Sequence, residues 1–242
     1  MHKDRLFVKK KNNSSDFNFG KETARVFDDM LDRSIPLYRE LQRMIGEIAN
    51  EFSQEKTNVY DLGCSTGTTM LTLAKSINKN VTLIGVDYSQ AMLDKCEENF
   101  KRCEINKKFK LYCKDLNNGF VVKDASVVIL NLTLQFIRPL QRDLLIRHIC
   151  EGLLKNGCLI LIEKVLGNDS TFNRIFIKFY YEMKKRQGYS EIEIAQKREA
   201  LENVLVPYRL EENKQLLIRN GFSYLDVFYK WYNFCGIIAV KE

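Results

Sequence analysis

This chain is poor in histidine, a common metal ligand, and in proline, which breaks helices. Among 242 residues there are two histidines and three prolines, and no two of the seven cysteines form a Cys-x-x-Cys pair. Zinc and iron–sulfur sites need clustered thiolates or imidazoles. The sequence therefore predicts a protein without a metal site.

Long apolar runs are also missing. No run approaches the roughly 20 residues of a membrane-spanning helix, and the N-terminus has no apolar signal segment. An odd number of cysteines without a signal peptide indicates reduced thiols. We therefore expect a soluble cytoplasmic protein that has no membrane contact.

Acidic residues are outnumbered, and the formal net charge is +7. The first 11 residues contain five basic residues against one acidic residue, Asp4, so they supply four of the seven excess charges. We interpret residues 1–20 as an N-terminal arm whose end is anchored by Phe17 and Phe19. Such an arm is typical of a solvated terminus, and contact with nucleic acid or an anionic partner is the alternative.

Apolar runs alternate with helical periodicity along the middle of the chain. Strands are predicted at Asn58–Leu62, Thr82–Asp87, Phe109–Lys114, Val127–Leu130 and Cys158–Glu163, and helices at Thr68–Ile77, Gln90–Arg102 and Leu140–Leu154. Strands separated by helices predict right-handed crossovers and a mostly parallel sheet. Two β-rich runs on either side of Asn233 predict an antiparallel hairpin at the sheet edge.

Two further helical regions flank this core. Residues 22–52 have a helical pattern that is broken at Pro36, and residues 171–212 form a helical insertion before the terminal hairpin. The sequence contains no internal repeat. We expect a single domain over residues 1–242.

The stretch "VYDLGCSTGTTM" joins the first predicted strand to a helix through a glycine loop. Gly63 and Gly67 let a ligand approach the backbone at the carboxyl edge of the sheet. A dinucleotide site needs a glycine where Ser65 stands, and a P-loop needs a Gly-Lys-Ser/Thr sequence that is missing. Asp61 either contacts the ligand or caps the next helix, and Cys64 is either a ligand contact or a small filler.

Acidic residues follow the second and third predicted strands. Asp87 stands 20 residues after Gly67 and is expected to accept hydrogen bonds from both ribose hydroxyls, and Asp115 is placed to reach an adenine edge. With D-x-G-C-S-x-G and the terminal hairpin, these residues resemble the S-adenosylmethionine site of the class I methyltransferase fold. The resemblance implies an α/β, Rossmann-like, mostly parallel sheet of seven strands.

The reaction is less evident than the cofactor. Asn131 follows the fourth predicted strand, where class I enzymes place groups near the sulfonium methyl. The sequence there is Asn-Leu-Thr-Leu, whereas amino-methylating enzymes often have Asn/Asp-Pro-Pro-Tyr. No cysteine is positioned for pyrimidine methylation either. The usual groups that activate a methyl acceptor are therefore missing.

An arginine interrupts the apolar face of a helix predicted in the insertion. The segment "SEIEIAQKREALENVL" begins with a Ser-x-x-Glu capping box, and Ile194, Leu201 and Leu205 then share one stripe. Arg198 lies in the middle of that stripe. It either extends outward or pairs with a structural carboxylate, or it points into the active site and binds a carboxylate with two hydrogen bonds.

Four segments together resemble one family, the carboxy-S-adenosyl-L-methionine synthases. They are "DFNFGKETARVFDDMLDRSIPLY", "VYDLGCSTG", "VVILNLTLQF" and "GYSEIEIAQKREALENVL", and the resemblance runs from about Asp4 to Val240. It implies a bacterial enzyme that binds S-adenosylmethionine and prephenate and supplies the carboxymethyl donor for tRNA wobble-uridine modification. Prephenate would lose carbon dioxide as phenylpyruvate forms, and the deprotonated methyl group of S-adenosylmethionine would capture it.

The resemblance also implies roles for single residues. Arg198 would hold the new carboxylate, and the other matched positions would hold S-adenosylmethionine. These are Tyr38 at the ligand, Gly63, Cys64 and Ser65 at the amino acid portion, Asp87 and Tyr88 at the ribose, Asp115 and Leu116 at the adenine, and Asn131 beneath the sulfonium. Tyr88 departs from the small polar residue expected there, so only its backbone role carries over.

The resemblance further implies a homodimer in which the insertion contacts the partner, so Arg198 could serve either subunit. Direct tRNA binding is not required for this function. Two alternatives stay open: an ordinary S-adenosylmethionine-dependent methyltransferase acting on tRNA or a small molecule, and a non-catalytic protein that binds the cofactor.

Overall fold

The computed structural model of the protein describes residues 3–8 and 17–242, and in this part of the chain one sheet is formed. Its strands are β1 (Asn58–Leu62), β2 (Thr82–Asp87), β3 (Phe109–Cys113), β4 (Ala125–Asn131), β5 (Leu153–Lys164), β6 (Tyr224–Trp231) and β7 (Phe234–Val240). The spatial order is β3-β2-β1-β4-β5-β7-β6. Strands β1 to β5 pair in parallel, and β7 is antiparallel to both β5 and β6. The predicted seven-stranded sheet with an antiparallel C-terminal hairpin is therefore confirmed.

The helices follow the predicted alternation. They are α1 (Lys21–Ser34), α2 (Tyr38–Phe52), α3 (Thr68–Ser76), α4 (Gln90–Arg102), α5 (Pro139–Gly152), α6 (Ser170–Arg186), α7 (Glu191–Leu201) and α8 (Leu210–Arg219). Two short 3-10 turns stand at Leu116–Asn118 and Leu134–Phe136. The break predicted at Pro36 separates α1 from α2, and Leu37 adopts a left-handed conformation there with φ 53°.

The sheet is buried on both faces. In β4, Val128 and Leu130 join the apolar cluster that contains residues of α5 and α8, while Val127 and Ile129 join the cluster that contains residues of α2, α3 and α4. Successive side chains of a strand point to opposite faces, so a strand buried on both faces needs a continuous apolar run. The run "VVIL" in β4 meets that need.

The boundary between α5 and β5 differs from the prediction. Helical periodicity extended the helix to Leu154, but α5 ends at Gly152 and β5 begins at Leu153, which pairs with Ala125. A Cβ atom on Gly152 would lie 2.2 Å from the carbonyl oxygen of Val122. Close backbone packing and strand pairing thus override the local helical pattern. Smaller differences are that β4 is longer than predicted and that β3 ends at Cys113.

The helical insertion is present, and its predicted end at residue 212 falls inside α8. The capping box before α7 is confirmed: Ser190 Oγ accepts a hydrogen bond from the Glu193 amide at 3.3 Å, and the Ser190 amide donates to Glu193 Oε2 at 2.8 Å. It sets the start of α7, and so the faces on which the later residues of that helix lie.

The N-terminal arm is partly docked on the molecule. Asp4 is 2% exposed, its amide donates to Asp29 at 2.7 Å, and its carboxylate accepts from the hydroxyl of Tyr189 at 2.7 Å. The expectation of a solvated arm is thus wrong at Asp4. The Phe17 amide donates to the carbonyl of Ala200 at 2.9 Å, which confirms the anchor predicted at the end of the arm.

The predicted polar segment of the arm, residues 9–16, lies outside the described residues. Among the helices that are described, none is long and apolar enough to cross a membrane.

Candidate active site

A cavity of about 390 Å³ lies at the carboxyl edge of the parallel strands. The ends of β2 and β4, the loop after β1, and helices α1, α2, α6 and α7 form its wall. All ten site residues that the sequence predicts line it, namely Tyr38, Gly63, Cys64, Ser65, Asp87, Tyr88, Asp115, Leu116, Asn131 and Arg198. Its volume is within the range of small-molecule sites, about 300–1,000 Å³.

Backbone conformation and close packing within the protein both require glycine in the loop after β1. Gly63 and Gly67 have φ values of 85° and 83°, a region that favours glycine. A Cβ atom on Gly63 would lie 2.3 Å from Thr133 Oγ1, and one on Gly67 would lie 2.4 Å from Cys96 Sγ. Close approach of a ligand to the backbone is the only reason that the sequence predicts for these glycines. The structure adds a backbone conformation and a close packing that only glycine permits.

Asp61 does not cap α3, so that alternative is wrong. The N-cap position of α3 is Gly67, and no side chain caps the helix. Asp61 is 1% exposed, and its Oδ2 atom has no hydrogen-bond partner among the described residues. Burial, assisted by the nearby Asp87 carboxylate, raises the pKa of Asp61 to about 8. Burial thus favours the neutral acid form of Asp61 over the carboxylate.

Asp87 joins the glycine loop to the start of α4. Its Oδ2 accepts from the Ser65 amide at 3.0 Å, and its Oδ1 accepts from the Ser89 amide at 2.9 Å. Burial raises the pKa of Asp87, and these amide donors oppose the increase. Sequence reasoning gave this residue no structural role, which is wrong. Each carboxylate oxygen can still accept a second hydrogen bond, so binding of a ribose remains possible chemically.

The predicted adenine end of the cavity is lined by aromatic rings. Tyr88 is 56% exposed, and its ring packs edge-on against Phe19 with 6.0 Å between the ring centres. Phe19 also packs edge-on against Phe136 at 5.4 Å. Asp115 caps the first 3-10 turn by accepting from the Asn117 amide at 2.9 Å. Sequence reasoning anticipated an acid and an apolar residue here but missed the aromatic wall, which joins residues distant in the chain.

Polar side chains beneath the centre of the cavity form a chain. The side-chain Nδ2 of Asn131 donates to Thr69 Oγ1 at 3.1 Å, and the side-chain Nε2 of Gln42 donates to the same hydroxyl at 3.3 Å. The Oδ1 atom of Asn131 is buried and has no partner among the described residues. A buried carbonyl oxygen without a donor is costly in the free protein. It is therefore available to a donor on a ligand.

Asp28 of α1 is a further residue that sequence reasoning missed. It accepts from Thr66 Oγ1 at 2.6 Å and from Thr68 Oγ1 at 3.2 Å, so it ties α1 to the glycine loop. Tyr38 is buried beside it, and burial together with the Asp28 charge raises the pKa of the Tyr38 phenol. The Tyr38 hydroxyl is thus a neutral hydrogen-bonding group at physiological pH.

Arg198 is one of the residues that line the cavity. Ile194 and Leu201, its neighbours along the helix face, line the same cavity. In the part of the chain that the structure describes, no carboxylate pairs with Arg198, so the alternative of a structural ion pair finds no support there. Arg198 is an exposed residue of the single chain, as the alternative of an outward-extending side chain predicts, and it also lines the cavity. A guanidinium has five N–H donors, which suit an anionic ligand.

Three lysines of the cavity were also missed: Lys164, Lys184 and Lys197. Lys197 lies three residues after Ile194 and so close to the apolar face of α7. Its hydrogen-bond partner, Ser34, comes from α1, a contact that the sequence does not reveal. The described residues contain no group of three or more histidine, cysteine or acidic side chains that could hold a metal ion.

An open sheet with a glycine loop after β1, an acid at the end of β2 and an antiparallel terminal hairpin defines the class I methyltransferase fold. A family model described as a methyltransferase domain matches residues 59–157. A putative S-adenosyl-L-methionine-dependent methyltransferase from Methanococcus maripaludis has the same fold, with a TM-score of 0.62 and 18% identity over 96% of this chain and 97% of that one.

Two curated relatives resemble the whole chain. The carboxy-S-adenosyl-L-methionine synthase of Methylococcus capsulatus is 55% identical over 242 residues, covering 100% of both chains. The synthase of the same name from Nitratiruptor is 41% identical over 100% of this chain and 99% of its own. The chain belongs to the carboxy-S-adenosyl-L-methionine synthase family, as the resemblance of the four sequence segments predicts.

Proposed function

We propose that this protein converts S-adenosylmethionine and prephenate into carboxy-S-adenosylmethionine and phenylpyruvate. The observation that supports the proposal most directly is Arg198, which lines the cavity and has no ion-pair partner among the described residues, in a chain 55% identical to a carboxy-S-adenosyl-L-methionine synthase over its full length. Transfer of the sulfonium methyl group to an acceptor creates no new carboxylate on the cofactor for a cation to bind. Formation of carboxy-S-adenosylmethionine creates one.

The reaction balances without an external oxidant or a protein nucleophile. Prephenate loses its ring carboxyl group as carbon dioxide and its ring hydroxyl as hydroxide, and aromatic phenylpyruvate forms. The hydroxide takes a proton from the sulfonium methyl group and becomes water. The methyl carbon then bonds to carbon dioxide, which yields a sulfonium with a carboxymethyl group. The base can thus come from the substrate itself.

The residues of the cavity suit the binding of S-adenosylmethionine. The loop from Gly63 to Ser65 would hold the amino acid portion, Asp87 the ribose hydroxyls, and Asp115 with Leu116 the adenine. Asn131 offers an unpartnered carbonyl oxygen near the proposed position of the sulfonium. An oxygen dipole beside a positive sulfur is electrostatically favourable.

Exclusion of water is the second requirement of this chemistry, because a carbanion next to sulfur is readily protonated. The Phe17, Phe19 and Phe136 rings line the cavity, and together with Ile194 and Leu201 they make much of its wall apolar. A dry wall keeps water from the reacting carbon and strengthens the charge interactions inside.

We further propose that the enzyme works in the cytoplasm as a homodimer and supplies the donor for tRNA wobble-uridine modification. Exposed aromatic side chains of α6 and the terminal hairpin support a second copy as the partner: Phe172 is 58%, Phe179 38% and Tyr232 42% exposed in the single chain. An apolar patch of this kind is typical of a protein interface.

Mass spectrometry tests the reaction. The purified protein is incubated with S-adenosylmethionine and prephenate, denatured, and its small molecules are analysed beside a reaction without prephenate. We expect a species equal to S-adenosylmethionine plus one carboxyl group, and phenylpyruvate in equal amount. If the product is only S-adenosylhomocysteine, the proposal fails and an ordinary methyltransferase becomes the better assignment.

A further inference from the structure

Three lysine side chains from three different elements line one part of the cavity. Lys164 stands at the end of β5, Lys184 in the last turn of α6, and Lys197 in α7. Lys184 is only 4% exposed and Lys197 only 7% exposed, while Lys164 is partly buried. Lysine is rarely buried to this extent unless it is paired. We call these three residues the lysine cluster.

Within the described part of the chain, no carboxylate lies within ion-pair distance of the cluster. Lys197 Nζ donates to Ser34 Oγ at 3.2 Å, which is a neutral partner. The charges of Asp4 and Glu193 raise the pKa of Lys184 and so oppose the effect of burial, but these two side chains are hydrogen-bonded to Tyr189 and Ser190 respectively.

Aromatic faces surround the ammonium groups instead. Lys164 Nζ lies 5.2 Å and Lys184 Nζ 5.5 Å from the centre of the Tyr180 ring, and Lys184 Nζ lies 5.3 Å from that of Tyr189. Such contacts attract a cation but do not neutralise its charge. Burial and the neighbouring lysines lower the pKa of Lys184 to about 7, and burial lowers that of Lys197 to about 8. An anion that enters the cavity would favour the protonated form of these lysines and would provide a counter-charge at hydrogen-bonding distance.

The cluster is separate from the groups assigned to S-adenosylmethionine. Those groups come from α2, the loop after β1, the ends of β2 and β4, and the first 3-10 turn, whereas the cluster comes from β5, α6 and α7. The proposed second substrate, prephenate, has two carboxylates. The ring carboxylate is transferred as carbon dioxide to the methyl carbon of S-adenosylmethionine, where Arg198 would bind it. The other belongs to a 2-oxo acid side chain that remains in phenylpyruvate.

We propose that the lysine cluster binds this retained carboxylate of the carboxyl donor, the 2-oxo acid group common to prephenate and phenylpyruvate. The assignment rests on the proposed function and deepens it, because it gives the second substrate its own anchor. Arg198 and the lysine cluster then bind the two carboxylates that are carried by the same ring carbon, one directly and one through the 2-oxo acid side chain. A donor held by its side-chain carboxylate presents the neighbouring ring carboxyl group to the sulfonium methyl in a single orientation.

Phenylpyruvate is the probe that isolates this contact, because it has the retained carboxylate and lacks the transferred one. Isothermal titration with phenylpyruvate and with S-adenosylmethionine compares the wild type, Lys184→Met and Lys178→Met. Lys178 is an exposed lysine on the same helix and serves as the matched control. We expect Lys184→Met to weaken phenylpyruvate binding about tenfold or more, because one charge-assisted hydrogen bond is lost. Its affinity for S-adenosylmethionine should stay unchanged, and Lys178→Met should bind both ligands as the wild type does.

Two results would overturn the assignment. Unchanged phenylpyruvate binding in Lys184→Met excludes a contact with the carboxylate, and equal losses for both ligands indicate a structural role instead.

Replacing a buried lysine that has no ion-pair partner by methionine should not lower the melting temperature of the protein, which thermal denaturation checks. Lys164→Met repeats the binding test at a less buried position. Titration does not depend on turnover. A wild type that binds phenylpyruvate through Lys184 but makes no carboxylated product would refute the reaction and leave the 2-oxo acid site in place.

Discussion

At the scale of single residues, Arg198 and Asp87 are proposed to bind different parts of the ligand, namely the added carboxylate and the ribose. Arg198 has no partner among the described residues, so its donors are available to a ligand carboxylate. Asp87 accepts two backbone hydrogen bonds and retains capacity for more. The first residue should therefore distinguish the carboxylated product from S-adenosylmethionine, and the second should not.

Replacement of Arg198 by alanine should weaken carboxy-S-adenosylmethionine binding and leave S-adenosylmethionine binding nearly intact. A charge-assisted hydrogen bond contributes about 1.5–3 kcal/mol, which corresponds to a loss of about ten- to 150-fold in affinity. Titration calorimetry with both ligands measures it, and Arg147→Ala on exposed α5 surface is the control. Equal losses for the two ligands would show that Arg198 does not bind the added carboxylate.

Asp87→Ala should behave differently and weaken both ligands alike. It removes the proposed ribose contacts and leaves the Ser65 and Ser89 amides without their acceptor. The free energy of unfolding should also fall, by about 1–3 kcal/mol for a buried donor left unsatisfied. An unchanged affinity for either ligand in the same titrations would remove Asp87 from the site.

At the scale of elements, Arg142 of α5 joins two segments of the cavity wall. It is 1% exposed, and its guanidinium donates to the carbonyls of Ile137 at 2.9 Å, Gln135 at 3.3 Å and Val206 at 2.7 Å. The first two carbonyls belong to or follow the second 3-10 turn, and the third lies between α7 and α8. One buried side chain thus holds the insertion against the end of β4.

We expect Arg142→Met to lower the free energy of unfolding by about 2–4 kcal/mol, because it leaves the buried Ile137 carbonyl oxygen without its donor and removes the hydrogen bond to Val206. Urea denaturation measures the effect, with Arg147→Met on the exposed face of the same helix as the control. Binding of S-adenosylmethionine should weaken as well, since Phe136 of the same turn lines the cavity. Equal stability of the two variants would contradict this function of Arg142.

At the scale of the whole molecule, the charge of the protein bears on its choice of partner. The net charge is +7, and four of the seven excess charges are in the first 11 residues. The docking of Asp4 against Tyr189 and Asp29 places the beginning of this basic segment on the protein. An enzyme that only prepares a small donor molecule does not need to hold tRNA.

We therefore expect tRNA to bind weakly and without sequence preference. The test is a filter-binding or anisotropy titration with tRNA at about 50 mM and about 200 mM salt, because phosphate contacts weaken steeply over this range. A general polyanion such as heparin is the control and should compete equally. Tight binding that heparin fails to displace would favour the alternative of a tRNA methyltransferase.

The sequence alone determined the elements whose physics is local. Strands β1 and β2 and helix α4 have the predicted bounds, because apolar runs, helical periodicity and capping residues act over a few neighbours. The glycine loop, Asp87 and Arg198 were likewise identified from spacing and residue type. For the family, the combination of four distinct segments was sufficient, and the full-length relatives agree with it.

Only the tertiary structure decided which distant residues meet. It ended α5 at Gly152, because the carbonyl of Val122 packs against that glycine. It brought Lys164, Lys184 and Lys197 into one cavity, although each is an ordinary lysine in its own segment. It also buried Asp4 beneath Tyr189. Burial, and with it the loss of hydration that makes a charge available to a ligand, is a property of the assembled fold and has no local signal in the chain.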